Sequence, residues 1–265
     1  MNKTKSRAWL LLPFFLCWGG SLTFFRPACE EVSRFESQEN FLREARVVAI
    51  DKDGPGGRTS LWLVTLDDGK SQGRALFRHV DRPRPHPAPD SYKYDLAAYG
   101  LAKLLRVEIV PPVIEKVIEG RKGSLQVYLE NCIRERDRRR QKLEPPDPKA
   151  FAFAREGIRV FENLVYDECQ DFDDLLIHRE DWRVCRVDFS EAFSPSPELL
   201  SGCEITVCPR ALYEGLCRLE EKTVKSALRA YLNKEEIGAL IIRKGRLVEI
   251  IKKRIKDKGE EAVLF

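Results

Sequence analysis

The feature that most constrains the fold is residues 160–193, in which carboxylates collect between a helix end and a strand hairpin. The apolar run 161–166 is typical of a buried helix end, and an acidic turn follows at 167–174. Two short strands within 175–187 then lead the chain to Asp188. A loop of carboxylates beside such a hairpin can gather the oxygen ligands that Mg²⁺ prefers, and it also fits plain solvated surface.

The layout of this stretch resembles the catalytic and metal loops of the atypical kinases grouped with phosphatidylinositol kinases, HipA-like kinases and bacterial and secretory-pathway Fam20-type kinases. Their loop reads roughly D-R-H-x-x-N and precedes a hairpin that ends in a metal-binding Asp. By this resemblance the catalytic Asp falls on Cys169, the metal-binding Asn falls on Asp174, and the metal-binding Asp is kept as Asp188. The resemblance implies an α+β, two-lobed protein-kinase-like fold, with a small β-rich N-lobe that has one helix and a mainly helical C-lobe.

Cys169 is the substitution that bears most on catalysis. A thiol, with a reference pKa of about 8.5, poorly replaces the carboxylate that orients the attacking hydroxyl and accepts its proton. Asp167 and Asp171 are nearby carboxylates that can take its place, although each is displaced along the loop. Asp174 in place of Asn is a mild change because a carboxylate is the better Mg²⁺ ligand.

The N-terminal half contains a glycine-rich turn and a candidate ion pair. Gly56 and Gly57 can bring backbone N–H groups close to a phosphate, and an ordinary hairpin turn is the alternative. The strand hairpin that follows ends at Arg78. By the resemblance, Arg78 stands where kinases have a phosphate-holding Lys, and Asp95 stands where they have its Glu partner. The pair either organises a nucleotide site or forms a surface salt bridge that contributes less than about 1 kcal/mol.

The rest of the N-lobe is expected to be a helix and a second hairpin. Residues 92–106 predict an amphipathic helix, and 114–128 predict a hairpin that turns at 119–123. By the resemblance, 125–130 forms the last N-lobe strand and the hinge, so Glu130 is expected beside the adenine of a nucleotide. The implied cofactors are ATP and Mg²⁺ or Mn²⁺, weakly bound or absent in a pseudokinase.

Residues 131–150 are interpreted as a charged, proline-rich connector, exposed and either helical or disordered. Nucleic acid is not an expected partner because no aromatic residues interleave its arginines to stack on bases. The C-terminal pattern predicts helices over 209–219, 221–232 and 233–255. The expected division is a signal peptide or membrane anchor at 1–30, an N-lobe at 31–130, the connector, and a C-lobe at 151–265.

The N-terminus has the pattern of a secretion signal or a membrane anchor. Lys3, Lys5 and Arg7 precede a largely apolar stretch, residues 8–25, which Arg26 closes. A cleaved signal predicts a secreted or periplasmic protein, and an uncleaved one predicts contact with the membrane through this segment. Both place the folded part outside the cytoplasm, while a buried core helix is the remaining alternative.

The substituted loop favours a pseudokinase that binds nucleotide weakly or acts as a nucleotide- or metal-binding module. The alternatives are an active ATP-dependent phosphotransferase with a displaced carboxylate and a structural envelope protein that keeps only the fold. The expected partners are a nucleotide and a protein substrate or binding protein. A zinc site has little support, because the eight cysteines form no C-x-x-C pair and the chain has three histidines.

Overall fold

The computed structural model describes residues 29–54, 61–168, 172–202 and 204–265, with side chains from residue 35 onward. Its first elements are α1 (Cys29–Glu44), β1 (Arg46–Asp51), β2 (Trp62–Asp67), β3 (Gln72–Arg78), β4 (Asp81–Arg82), β5 (Asp90–Ser91), α2 (Tyr92–Leu105), β6 (Val113–Ile118) and β7 (Arg121–Val127). An antiparallel sheet has the strand order β1-β2-β3-β7-β6, and β4 pairs with β5. These elements form the β-rich lobe that the sequence predicts.

The two predicted hairpins of this lobe are confirmed. Alternate residues of β2, Trp62, Val64 and Leu66, are buried in the core of the sheet. The β6–β7 hairpin turns at Glu119 and Gly120, whose φ angles of 49° and 73° are both left-handed. Two left-handed central residues are typical of a type I′ turn, whose twist matches that of the flanking strands.

The C-terminal elements are β8 (Cys132–Arg134), α3 (Glu135–Arg140), α4 (Pro148–Val165), β9 (Leu175–His178), β10 (Val184–Arg186), α5 (Arg210–Arg218), α6 (Glu221–Leu228), α7 (Lys234–Lys258) and a 3₁₀ turn (Glu260–Ala262). The strands β10, β9 and β8 form a small antiparallel sheet in that order. The predicted C-terminal helices are present, and α7 begins in a capping box between Asn233 and Glu236.

The prediction that 131–150 is an exposed connector is wrong for its first part. Residues 132–134 form β8, in which Ile133 lies opposite Ile177 of β9. The next residue, Glu135, is fully buried at the start of α3. A three-residue strand leaves no periodic pattern of its own, because its partner is distant in the sequence. The proline-rich end of the segment leads into α4, whose N-cap is Asp147.

Helix α2 lies at the centre of the molecule. It begins at the N-cap Ser91 and ends where Arg106 adopts a left-handed conformation with φ of 58°. It packs on the sheet through β6 and β7 and on the C-terminal helices through α5 and α6. A Cβ atom on Gly215 of α5 would lie too close to the carbonyl oxygen of Leu105, so the close approach of α5 to α2 requires glycine.

Within the described ranges, no helix is both long enough and apolar enough to cross a membrane. The predicted signal or anchor falls almost wholly outside those ranges.

Candidate functional site

Arg78 is buried where the sheet meets α2, and three carboxylates surround it. Its Nε lies 3.1 Å from Oδ2 of Asp95, without hydrogen-bond geometry, and its Nη1 lies 3.4 Å from Oδ1 of Asp90. Its Nη2 lies 2.8 Å from Oδ1 of Asp188. The expected pair with Asp95 forms, and the alternative of a surface salt bridge is wrong because Arg78 is 4% exposed and the Asp95 side chain 9% exposed.

The strand beside β3 fixes the position of Arg78. Arg78 pairs with Ser124 of β7, and the Ser124 hydroxyl donates a hydrogen bond to Asp95 over 3.2 Å. A Cβ atom on the neighbouring Gly123 would overlap the carbonyl oxygen of Arg78 and the ring of Phe77. Glycine is therefore required where β7 passes the end of β3.

Asp188 lies where the sequence predicts it, two residues after β10. Its φ is 59°, a left-handed value that Asp tolerates better than most residues. The Ser190 hydroxyl donates to Oδ1 of Asp188 over 2.7 Å, and the Phe189 N–H donates to Oδ1 of Asp95 over 2.9 Å. The loop after β10 is thus tied to α2 as well as to Arg78.

Two of the three carboxyls on Arg78, those of Asp95 and Asp188, have opposite pKa shifts. Burial raises the pKa of Asp95 above its usual value, although the Arg78 guanidinium opposes that shift. Burial acts in the same direction on Asp188, but there the Arg78 guanidinium and the Ser190 hydroxyl outweigh it and lower the pKa. Asp188 therefore keeps its negative charge at neutral pH, and Arg78 is its counter-ion.

A second buried arginine, Arg186, lies on the other side of the same loop. It is the last residue of β10, and its side chain is 0% exposed. Its three donor nitrogens each face a carboxylate: Nε lies 3.1 Å from Glu162, Nη2 lies 2.6 Å from Asp167, and Nη1 lies 3.2 Å from Asp174. Arg186 was not among the site residues predicted from the sequence, although its place on the buried face of a short strand was a signal.

Asp167 and Asp174 are therefore partners of Arg186. Burial raises the pKa of Asp167 to about 7, although Arg186 opposes the shift. The Asp167 side chain is 1% exposed, whereas that of Asp174 is 21% exposed. Asp167 is therefore shielded from solvent and held by Arg186 at 2.6 Å.

Of the remaining predicted site residues, one is held in an ion pair and the others lie outside the described residues. Glu130 is bound by Arg74, with Nε 2.8 Å from Oε1 and Nη2 2.5 Å from Oε2, and both side chains are exposed. The Arg74 guanidinium also lies over the Tyr128 ring, 4.3 Å from its centroid. The other predicted residues, Cys169, Asp171, Gly56 and Gly57, lie outside the described residues.

Asp174 and Asp188 are the candidate ligands for Mg²⁺, an ion that is often held by one or two carboxylates together with substrate phosphates. Each has an oxygen in an ion pair with a buried arginine, at 3.2 Å from Arg186 and 2.8 Å from Arg78. In the described part of the chain, no group of three or more His, Cys, Asp or Glu is placed to hold a metal ion. The residues do not fit Mg²⁺ or Mn²⁺ as arranged, because the ion would compete with two guanidinium groups.

Solved kinase structures share this fold. "The structure of hydra Fam20 with sugar" matches with a TM-score of 0.64 at 13% identity, covering 88% of this chain and 92% of that chain. The golgi casein kinase matches with a TM-score of 0.62 at 11% identity, covering 88% and 78%. The Helicobacter pylori proinflammatory kinase CtkA matches with a TM-score of 0.50 at 8% identity, covering 79% and 96%.

No protein-family model and no curated protein matches the sequence. Likeness to these structures at such low identity shows the fold alone. The predicted fold class is thereby confirmed: the chain has an α+β, protein-kinase-like fold, with solved neighbours among atypical kinases.

Proposed function

We propose that the chain is a pseudokinase, a kinase-like domain that has lost phosphotransfer and acts as a binding module. The observation that carries this proposal is the pairing of both candidate metal ligands with buried arginines, Asp188 with Arg78 and Asp174 with Arg186. Kinases use metal ions to bridge the β- and γ-phosphates and to neutralise the charge that develops on them. Guanidinium groups buried among protein carboxylates do not supply that function.

Active phosphotransfer with a displaced carboxylate is the second candidate. The pKa of about 7 for Asp167 favours it, because a general base works best with a pKa near the ambient pH. A general base must also come within hydrogen-bond reach of the substrate hydroxyl. Asp167 is 1% exposed and is held by Arg186 at 2.6 Å, so its geometry supports the pseudokinase instead.

We place the protein outside the cytoplasm. The basic residues and the apolar stretch within 1–30 support this location. The fold likeness to the golgi casein kinase, whose name assigns that protein to the Golgi, is consistent with it. A binding protein, a weakly held nucleotide and, with an uncleaved N-terminus, the membrane are the partners that this proposal includes.

The decisive experiment is calorimetric titration of ATP into the full chain without metal, with Mg²⁺ and with Mn²⁺, together with a labelled-ATP transfer assay. We expect weak binding that the metals do not strengthen, and no transfer. Metal-dependent binding with transfer would establish the active phosphotransferase. A complete absence of binding at millimolar ATP would favour the structural protein over a nucleotide-binding module.

Arg78→Lys sharpens this test because it restores the residue that kinases have at this position. Lysine is a compact point charge, whereas Arg78 contacts three carboxylates with its planar fork. We expect this variant to gain some dependence of ATP affinity on Mg²⁺. Arg82→Lys is the matched control, because Arg82 contacts Asp90 at 3.0 Å from a half-exposed position.

A further inference from the structure

Three arginines converge on one buried carboxylate between α3 and α4, away from the ion pairs of Arg78 and Arg186. Glu135, the first residue of α3, has a side chain that is 1% exposed. Nε of Arg138 lies 2.6 Å from one carboxylate oxygen, and Nε of Arg139 lies 2.6 Å from the other. Nη1 of Arg155, from α4, lies 3.6 Å from the second oxygen. These four side chains, the Glu135 cluster, have a formal charge of +2, which is three positive charges less one negative charge.

The nearby carboxylates are exposed or have other partners. Glu162 acts on Arg155, but it is bound by Arg186 at 3.1 Å. Glu144 is the one further carboxylate that acts on Arg138 among the described residues, and it is exposed to solvent. Burial lowers the pKa of Arg155, and the like charges of Arg139, Arg159 and Arg138 lower it further. The neighbouring arginines have acidic partners of their own: Arg136 with Asp173, Arg140 with Asp137, and Arg159 with Glu156.

The cluster keeps donor capacity that faces solvent. The side chains of Arg139 and Arg155 are 43% and 29% exposed. Nε of Arg155, by contrast, is buried away from solvent and finds no hydrogen-bond acceptor among the described residues. The guanidinium of Arg139 lies 4.0 Å from the centroid of the Phe172 ring, which fixes its orientation. Two fixed, partly exposed guanidinium groups therefore stand beside an excess of positive charge.

We propose that Arg139 and Arg155, held in place by Glu135, bind a phosphate-type dianion. A phosphomonoester has a charge of about −1.5 to −2 at neutral pH, which matches the charge of the cluster. Guanidinium groups form paired, charge-assisted hydrogen bonds with phosphate oxygens. Partial burial strengthens these bonds relative to bonds at a fully exposed surface. The phosphate group can belong to a small molecule or to a phosphorylated side chain of a partner protein.

This site is separate from the proposed function, because none of its residues belongs to the Arg78 and Arg186 groups of ion pairs. Failure of phosphate to bind here would leave the pseudokinase proposal intact. Conversely, detection of phosphotransfer would overturn the pseudokinase without touching the Glu135 cluster.

The test is titration of inorganic phosphate into the full chain at low ionic strength, with binding measured by calorimetry and by the NMR signals of arginine Nε–H groups. We expect Arg139→Gln and Arg155→Gln each to weaken phosphate binding about tenfold, as expected for the loss of one charge-assisted hydrogen-bonding group. Arg140→Gln is the matched control, because Arg140 is exposed on the same helix and pairs with Asp137. Its phosphate affinity should be that of the wild type.

Glu135→Gln tests the positioning role of Glu135. It raises the charge of the cluster from +2 to +3 but removes the carboxylate that holds Arg139 and Arg155, so we expect weaker phosphate binding, while thermal unfolding without phosphate checks that the variant is folded. No binding at millimolar phosphate, or equal losses in Arg140→Gln and Arg155→Gln, would overturn the proposal. So would an unchanged affinity in both Arg139→Gln and Arg155→Gln.

A phosphoserine peptide and its unphosphorylated form distinguish the two sources of phosphate. Tighter binding of the phosphopeptide than of inorganic phosphate, lost in Arg155→Gln, would support the site and identify a phosphorylated protein as its ligand. Binding of inorganic phosphate alone, again lost in Arg155→Gln, would support the site and identify a small phosphorylated molecule.

Discussion

Nη2 of Arg78 lies 2.8 Å from Oδ1 of Asp188, so a protein cation occupies the side of the carboxylate that faces the sheet. Arg78 is buried, whereas the Asp188 side chain is 36% exposed. A guanidinium has a pKa above about 12 and stays charged at physiological pH, so Asp188 is neutralised without any ligand.

We expect Arg186→Met to destabilise the protein by about 3 to 5 kcal/mol, because it leaves buried carboxylates without their counter-ion. Glu162 and Asp167 would be the most affected, since both are buried and both contact Arg186. The measurement is the free energy of unfolding in urea. Arg183→Gln is the control, because Arg183 pairs with the exposed Asp181, and it should change that free energy by less than about 1 kcal/mol. Equal effects in the two variants would contradict this account.

Gly123→Ala should lower the free energy of unfolding by about 1 to 3 kcal/mol, because the added methyl group would overlap the carbonyl oxygen of Arg78. Gly238→Ala in α7 is the control with the opposite sign. A Cβ atom there meets nothing within 4 Å, so the helix propensity of alanine should stabilise the protein by about 0.5 to 1 kcal/mol. Chemical denaturation of both variants checks these two signs. A Gly123→Ala protein as stable as the wild type would show that β7 can move away from β3.

Glu39 of α1 predicts a specific dependence of stability on pH. Burial acts to raise its pKa, but hydrogen bonds from Lys103, Arg43 and Tyr99 outweigh burial and lower the pKa to about 2. The carboxylate therefore stabilises the fold above its unfolded pKa near 4.5, and that stabilisation is lost as the pH falls toward 2. Glu39→Gln should cost about 2 kcal/mol at neutral pH and progressively less in acid.

Urea unfolding of the wild type and of Glu39→Gln at neutral pH and near pH 3 measures this difference. Glu44→Gln is the control, since Glu44 is exposed at the end of the same helix. A cost of Glu39→Gln that is the same at both pH values would show that the charge of Glu39 does not contribute.

By the resemblance of this loop to that of kinases, Cys169→Asp would restore the catalytic acidic residue. We expect no phosphotransfer from this variant alone, because Arg78 and Arg186 still pair with Asp188 and Asp174. The measurement is transfer of labelled phosphate from ATP in the presence of Mg²⁺, with Cys217→Asp, an exposed cysteine elsewhere, as the control. Transfer by Cys169→Asp alone would show that the thiol is the inactivating change and that the arginines are not.

The sequence predicted the hairpins β2–β3, β6–β7 and β9–β10, helix α2 and the Arg78–Asp95 pair, because each has a local signal or a fixed place in the kinase-like order. It did not predict β8. Arg186 had a weaker signal. It follows Val184 on the buried face of β10, where a charged residue is rare unless it is paired. Its partners Glu162 and Asp167 lie 24 and 19 residues away, so no spacing in the sequence connects them to it.

The segment after Asn131 shows why burial could not be predicted from charge composition. Its run of arginines is typical of a solvated surface, and Arg140 is indeed exposed. Glu135 lies in the same run and is fully buried, because β8 anchors the start of α3 against β9. Charge composition does not reveal which member of a charged run is turned inward, since that depends on tertiary contacts.

Helix α2 packs both on the sheet and on the C-terminal helices, which limits how the two lobes can move relative to each other. Kinases commonly control activity through the position of a helix in the N-lobe. Here a swing of α2 away from the sheet would separate Asp95 from Arg78, and it would also break the contacts of α2 with α5 and α6. A Cβ atom on Gly215 would lie 2.7 Å from the carbonyl oxygen of Leu105, so α5 packs closely against the end of α2. We therefore expect the region between the two lobes to keep one shape rather than to open and close. Any signal that the protein relays would then depend on which molecule binds to its surface.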